Sequence, residues 1–258
     1  MKLVDKLWNW LHLAGSHNQW YPTPCKMTPE EFVEEYGIKN AFVVPFAGNI
    51  QPPFAPFAER FKNFRELKWA VMGDTSSGLP EHELGFTLDI LEVAKPGSNI
   101  TGGIVDDFFA PERLIHYPPA VLKKMKEKLN AAGLDFWCVL YSHELDRDLE
   151  EYMECFDGIS FWVIKGHELA NLEEHLPKVF KFAQGKRLMM GMYFWDYGNK
   201  KEIPLPIFEK QLSTYFELLK QKKAEGIIFC SNAIGDAGLE TQALLKKYIA
   251  EQGDIDIV

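Results

Sequence analysis

Two adjacent carboxylates, Asp106 and Asp107, end the apolar run Gly102-Gly103-Ile104-Val105 and are followed at once by Phe108 and Phe109. A buried strand that stops at two acids delivers them where the chain leaves the core. Partial burial there raises a carboxylic pKa toward the range a proton donor needs. Similar endings recur at Tyr141-Ser142-His143-Glu144, Trp162-Val163-Ile164-Lys165, Tyr193-Phe194-Trp195-Asp196-Tyr197 and Ser231-Asn232. Gathered on one rim, these endings put acids beside flat rings, which suits sugar chemistry. One carboxylic acid protonates a leaving oxygen, a second carboxylate acts as nucleophile or base, and rings stack on pyranose faces. Asp107 is the expected general acid, with Asp106 in that role if the pleat points the other way. Asp196 is the expected second carboxylate, and Glu144 its reserve. Trp162, Trp195, Tyr193, Tyr141, His143 and Asn232 are the expected substrate contacts.

Holding that many strand ends together requires a particular order of elements. Thr28-Pro29-Glu30-Glu31 reads as an N-cap, a proline in the first turn and a capping-box glutamate, and Gly37 ends that helix. Pro118-Pro119 opens a helix striped by Leu122, Met125 and Leu129 and closed by Gly133, and Pro206 opens another carrying Phe208, Leu212, Tyr215, Phe216 and Leu219. Leu239, Ala243, Leu244 and Tyr248 stripe the last helix. Strands are predicted near 7–13, 41–46, 67–73, 101–106, 134–141, 158–163, 187–195 and 226–231. Most are apolar on both faces, as strands covered by helices are. Strict alternation of strand and helix argues for a parallel sheet, and eight units in a chain of 258 residues match a single (β/α)8 barrel over residues 1–258. Asn49 to Phe64, with Pro52, Pro53 and Pro56, reads as a long loop before a short helix. The structural rival is an open doubly wound sheet.

The arrangement resembles the TIM-barrel glycoside hydrolases, which place functional carboxylates after strand four and after strand seven or a neighbour. The resemblance covers most of the chain as architecture and few residues as motif. Asp106-Asp107 is similar to the adjacent aspartates of N-acetylhexosaminidases in which the substrate's acetamido group is the nucleophile. By that resemblance Asp106 orients the acetamido group and Asp107 is the acid. The segment Gly191-Met192-Tyr193-Phe194-Trp195-Asp196-Tyr197-Gly198 also looks like a sugar-hydrolase barrel strand.

Each feature has a plainer reading. Asp106-Asp107 can cap a helix or turn, Asp196 can close a turn before Gly198-Asn199, and Asp74 lies in an ordinary turn composition. Glu144 begins a charged stretch that suits a solvated loop, and His143 alone suits a hydrogen-bonded barrel residue. Three other functions compete. Lys165, after strand six, suggests a class I Schiff-base aldolase or lyase, although Gly166-His167-Glu168 places it near a loop. A non-catalytic carbohydrate-binding barrel keeps the rings without the reaction. A metal-dependent isomerase or hydrolase would draw on Asp74, His143, Glu144 and Asp196, but no H-x-H or H-E-x-x-H spacing supports it, and no metal is predicted. No cofactor is predicted either, since no G-x-G-x-x-G follows a strand.

The strand-end acids and rings make a carbohydrate substrate the expected partner, and composition argues against others. A net charge of −9 without a dense Lys/Arg tract gives nucleic-acid binding no electrostatic support. No apolar run reaches membrane-spanning length, and Trp8-Asn9-Trp10 with His12 makes a poor signal peptide, so a cytoplasmic protein is expected. Cys25, Cys138, Cys155 and Cys230 lack C-x-x-C spacing, which argues against a disulfide framework or structural zinc. Nothing in the sequence sets an oligomeric state.

Overall fold

The computed structural model describes residues 1–21, 23–73 and 82–257; Asp74 lies outside the described residues. Eight parallel strands close into a barrel: β1 (Leu7–Leu11), β2 (Asn40–Val43), β3 (Glu66–Ala70), β4 (Ile100–Val105), β5 (Asp135–Tyr141), β6 (Gly158–Trp162), β7 (Arg187–Tyr193) and β10 (Gly226–Cys230). β10 pairs with β7 on one side and β1 on the other, and that second pairing seals the ring. Between β7 and β10, β8 (Trp195–Asp196) and β9 (Lys201–Glu202) form a separate antiparallel ribbon. This is the predicted (β/α)8 barrel, and closure excludes the open-sheet rival.

The helices are α1 (Pro29–Tyr36), α2 (Ala55–Arg60), α3 (Thr87–Val93), α4 (Pro111–His116), α5 (Pro119–Ala131), α6 (Glu150–Met153), α7 (Leu172–Phe182), α8 (Leu205–Lys220) and α9 (Glu240–Gln252). Their boundaries follow local chemistry. At α1, Thr28 Oγ1 accepts from the Glu31 amide at 3.2 Å, Glu31 returns a carboxylate to the Thr28 amide at 2.8 Å, and Gly37 ends the helix at φ 70°. The last helix differs from its predicted stripe. It buries Thr241, Gln242 and Leu245, while Ala243 is exposed. Gln242 turns inward because its side chain donates to the Ile234 carbonyl and accepts from the Leu239 amide.

Two apolar layers follow from strand alternation. One lies between strands and helices and holds Leu7, Val43, Trp69, Phe136 and Phe161. The other fills the barrel itself with Trp8, Trp10, Phe42, Ile104, Trp137, Trp162, Met189 and Ile228. Four tryptophan rings, from β1, β5 and β6, leave no room for side chains everywhere. A Cβ on Gly191 would stand 2.0 Å from the Trp162 indole, and one on Gly158 would stand 2.5 Å from Trp137. At the N-terminal end of the barrel Lys68 is fully buried, its ammonium 5.0 Å from the Trp137 ring centre and 5.5 Å from that of Trp8. Asp135 lies 3.5 Å from it and also binds Arg187. No helix among the described residues is long and apolar enough to cross a membrane.

Candidate active site

The inward side of each strand decides what reaches the C-terminal mouth. Trp10 is followed on that side by His12, Ile104 by Asp106, Val139 by Tyr141, and Ile228 by Cys230. With Trp162, Tyr193 and the loop residues His17, Trp20, Phe46, Tyr197 and Lys200, they enclose a cavity of about 350 Å³. Asp106 and Asp107 are the carboxylates that line it among the described residues.

The aspartate pair is held from several directions. Arg113, buried on α4, donates to the Asp106 carbonyl at 2.8 Å and to the Gly73 carbonyl at 2.6 Å. The Asp107 amide donates to Asp106 Oδ1 at 2.8 Å. Asp107 has φ 47°, in the left-handed region that residues with a side chain seldom occupy. Such backbone persists only where its surroundings hold it, as at ligand sites. The Tyr141 hydroxyl donates to Asp107 Oδ1 at 2.9 Å. Ala110, not an aspartate, is the N-cap of α4, so the pair does not cap that helix. Burial lifts the hydroxyls of Tyr141, Tyr193 and Tyr197 well above the ordinary tyrosine range, so these rings stay protonated and offer donors.

Across the mouth stand two histidines. His12 Nδ1 lies 3.0 Å from the Val44 carbonyl, and His17 Nδ1 lies 2.6 Å from the Tyr197 hydroxyl. Burial lowers His12 to about 4 and His17 well below its usual value, so both rings are neutral at pH 7. The rings pack 4.7 Å apart, centre to centre, and Phe46 meets both edge-on.

The other predicted residues divide by where the chain turns. Trp162, Tyr193 and Tyr141 line the cavity. Asp196 does not. Its Oδ1 accepts from the Asn199 amide at 2.9 Å and its Oδ2 from the Asn199 side chain at 2.8 Å, the turn role that its plainer reading gave it. The cause is that β7 stops at Tyr193, so the alternation carrying Tyr193 inward does not extend to 195 and 196. Trp195 accordingly packs edge-on against Tyr21, 4.9 Å away, in the outer layer. Glu144 is buried outside the cavity wall and accepts from the Tyr141 amide at 2.8 Å. Burial pushes it up to about 7, although that amide and Arg147 pull it down. His143 is exposed and stacks on Tyr141 with ring centres 5.4 Å apart.

Asn232 is buried at the barrel seam rather than in the cavity lining. It accepts from the Asn9 side chain and the His12 amide, each at 3.1 Å, and donates to the His12 carbonyl at 2.8 Å. Lys165 is half exposed outside the cavity, 3.8 Å from Glu168, and the lysine that does line the mouth is Lys200. The sequence reading missed His12, Trp10 and Cys230 as site residues, although the alternation through Trp8-Trp10-His12 and Ile228-Cys230 points to them. For His17, Trp20, Phe46 and Lys200, all in loops, the sequence carries no comparable signal.

No family model matches the chain, and comparison with curated proteins finds no match. Solved structures do match in fold. The tryptophan synthase A-subunit from Pyrococcus furiosus is 14% identical with a TM-score of 0.55, covering 99% of this chain and 100% of its own. The spore cortex-lytic enzyme SleL of Bacillus megaterium QM B1551 is 13% identical with a TM-score of 0.56, covering 100% of this chain and 76% of its own. Both neighbours are enzymes built on this barrel, and at such identities the likeness is one of fold alone.

Proposed function

We propose that the protein cleaves a glycosidic bond to a 2-acetamido sugar, with Asp107 as general acid and Asp106 orienting the substrate's acetamido group. One observation carries this reading: among the described residues the carboxylates lining the cavity are Asp106 and Asp107, adjacent in sequence, and no third carboxylate lines it. A hydrolase that supplies its own nucleophile or base needs carboxyl groups on opposite sides of the scissile bond, about 5 to 9.5 Å apart. A substrate whose own acetamido oxygen attacks the anomeric carbon needs only an acid and a group that aligns the amide. The neighbouring tyrosines supply donors for the sugar's hydroxyls, and Trp10, Trp20 and Trp162 supply apolar faces. A volume of about 350 Å³ is near the lower end of small-molecule pockets, about 300 to 1,000 Å³, and suits one sugar residue. The cortex-lytic neighbour shares the barrel, but the reading stands on the cavity.

Paired aryl glycosides differing only in a 2-acetamido or a 2-hydroxyl group test it. Turnover is expected of the first alone. Asp107→Asn should slow a natural glycoside by at least about 100-fold, the scale of general acid catalysis, and slow an activated aryl glycoside less. Equal turnover of both substrates, or full activity of Asp107→Asn and Asp106→Asn on a natural glycoside, rules the mechanism out. Binding seen by tryptophan fluorescence without turnover would identify a non-catalytic sugar-binding barrel.

A further inference from the structure

We propose that His12, His17 and Cys230 form a three-ligand site for a borderline-soft divalent metal ion, Zn2+ in the first instance, with its fourth position open to the cavity. One ligand atom from each residue lies within 4.8 Å of the other two, and all three residues are buried. Two imidazoles and a thiolate are a donor set that zinc favours, at bond lengths of about 2.0 to 2.3 Å. A tetrahedron of that size has edges of roughly 3.3 to 3.8 Å, so modest side-chain rotations close the trio on an ion.

The outer partners fit the same assignment. The Val44 carbonyl can only accept, so His12 Nδ1 carries the proton and Nε2 keeps a lone pair for a ligand. His17 Nδ1 lies 2.6 Å from the Tyr197 hydroxyl, which accepts as well as donates; with Nδ1–H donating to it, Nε2 keeps the lone pair for the same purpose. Metal-ligating histidines are oriented in this way by a second hydrogen bond. Trp20 and Phe46 flank the His17 ring edge-on, with centres 5.4 and 6.0 Å away. All three ligands line the cavity that also holds Asp106 and Asp107, so the open position faces the space where a substrate oxygen or a water would bind. The absence of local metal-binding spacing has no bearing here, because the trio joins the end of β1, its following loop and the end of β10.

The inference does not rest on the hydrolase reading, because metal uptake is measured without sugar. Chelator-treated protein titrated with Zn2+ alone should take up one equivalent, read by elemental mass spectrometry after desalting. With Co2+ alone it should develop the strong near-ultraviolet absorption of a cobalt–thiolate bond. Cys230→Ser should abolish that absorption. His17→Ala should weaken Zn2+ by more than about 100-fold, and Tyr197→Phe by about 10- to 100-fold, as loss of an outer partner does. Cys138→Ser, which alters a buried thiol on the helix-facing side of β5, should leave uptake unchanged. No tight uptake by the wild-type protein, or absorption that survives Cys230→Ser, overturns the proposal. If a ligand variant fails to fold, the wild-type Co2+ spectrum decides alone, since a spectrum without the thiolate band overturns it as well. Zn2+ uptake with no sugar turnover would sink the hydrolase reading and leave the metal site standing, and turnover without uptake would do the reverse.

Discussion

Asp107 ties the proposed chemistry to the fold. Its left-handed backbone turns the chain between a barrel strand and Phe108-Phe109, both buried in the outer layer, while its side chain stays at the mouth. Asparagine tolerates that backbone nearly as well as aspartate, so Asp107→Asn tests the proton rather than the turn. Glu144 tests the reverse, a buried acid without a place in the cavity. It holds its proton in the folded state up to about 7, against an ordinary 4.5. Between those values the unfolded state has released the proton and the folded state has not, so raising the pH through that window costs stability. The expected loss is about 3 kcal/mol, at 1.36 kcal/mol per pKa unit. Glu144→Gln cannot ionise, and its stability relative to wild type should therefore rise from pH 4.5 to 7. Urea unfolding at a series of pH values measures this, and a constant difference would show that Glu144 is not the group responsible.

At the scale of elements, packing inside the barrel positions the site. Gly191 on β7 leaves the space that the Trp162 ring fills from β6. Gly191→Ala would force a ring and a methyl group into one volume, with an overpacking cost of about 1 to 3 kcal/mol. Because Trp162 is a wall of the cavity, the variant should, on the proposed function, also lose sugar affinity, read by fluorescence titration. Normal affinity with normal stability would mean that the barrel relaxes freely around this position. Elements whose evidence is local were legible in the sequence: the Thr28 cap, the Pro119 helix start and the apolar runs of all eight strands. The ends of strands were less legible. Trp195 and Asp196 follow Tyr193 with no turn signal between them, yet the ladder to β10 ends at Tyr193 and the next residues join a ribbon. Half of the expected acid pair was lost through that one boundary. His12 and Cys230 meet only when β1 pairs with β10, and no spacing along a chain reports that closure.

The whole molecule places ionisable groups at opposite ends of one apolar column. Asp106 and Asp107 occupy the mouth, and Lys68 lies buried near the N-terminal end. Burial lowers Lys68 to about 8 from an ordinary 10.5, with Arg187 pushing the same way and Asp135 and Glu66 opposing. Between pH 8 and 10.5 the unfolded state keeps a proton that the folded state has lost, so this lysine makes the protein more stable as pH rises there. The gain is about 3 kcal/mol by the same conversion. Wild type should thus gain on Lys68→Met by that amount across the window, measured as the difference between their denaturation curves. A flat difference would mean that Lys68 stays charged in the fold. Higher in the column, Trp10 of β1 and Trp162 of β6 meet with ring centres 5.2 Å apart and planes at 69°. Indoles so close and so inclined share their electronic excitation, which splits one circular-dichroism band into a pair of opposite sign. On the short way round the ring, β10 and β7 stand between their strands, so the split band arises only once the ring has shut. During refolding it would lag behind the helical signal, a clock for closure that needs no added dye.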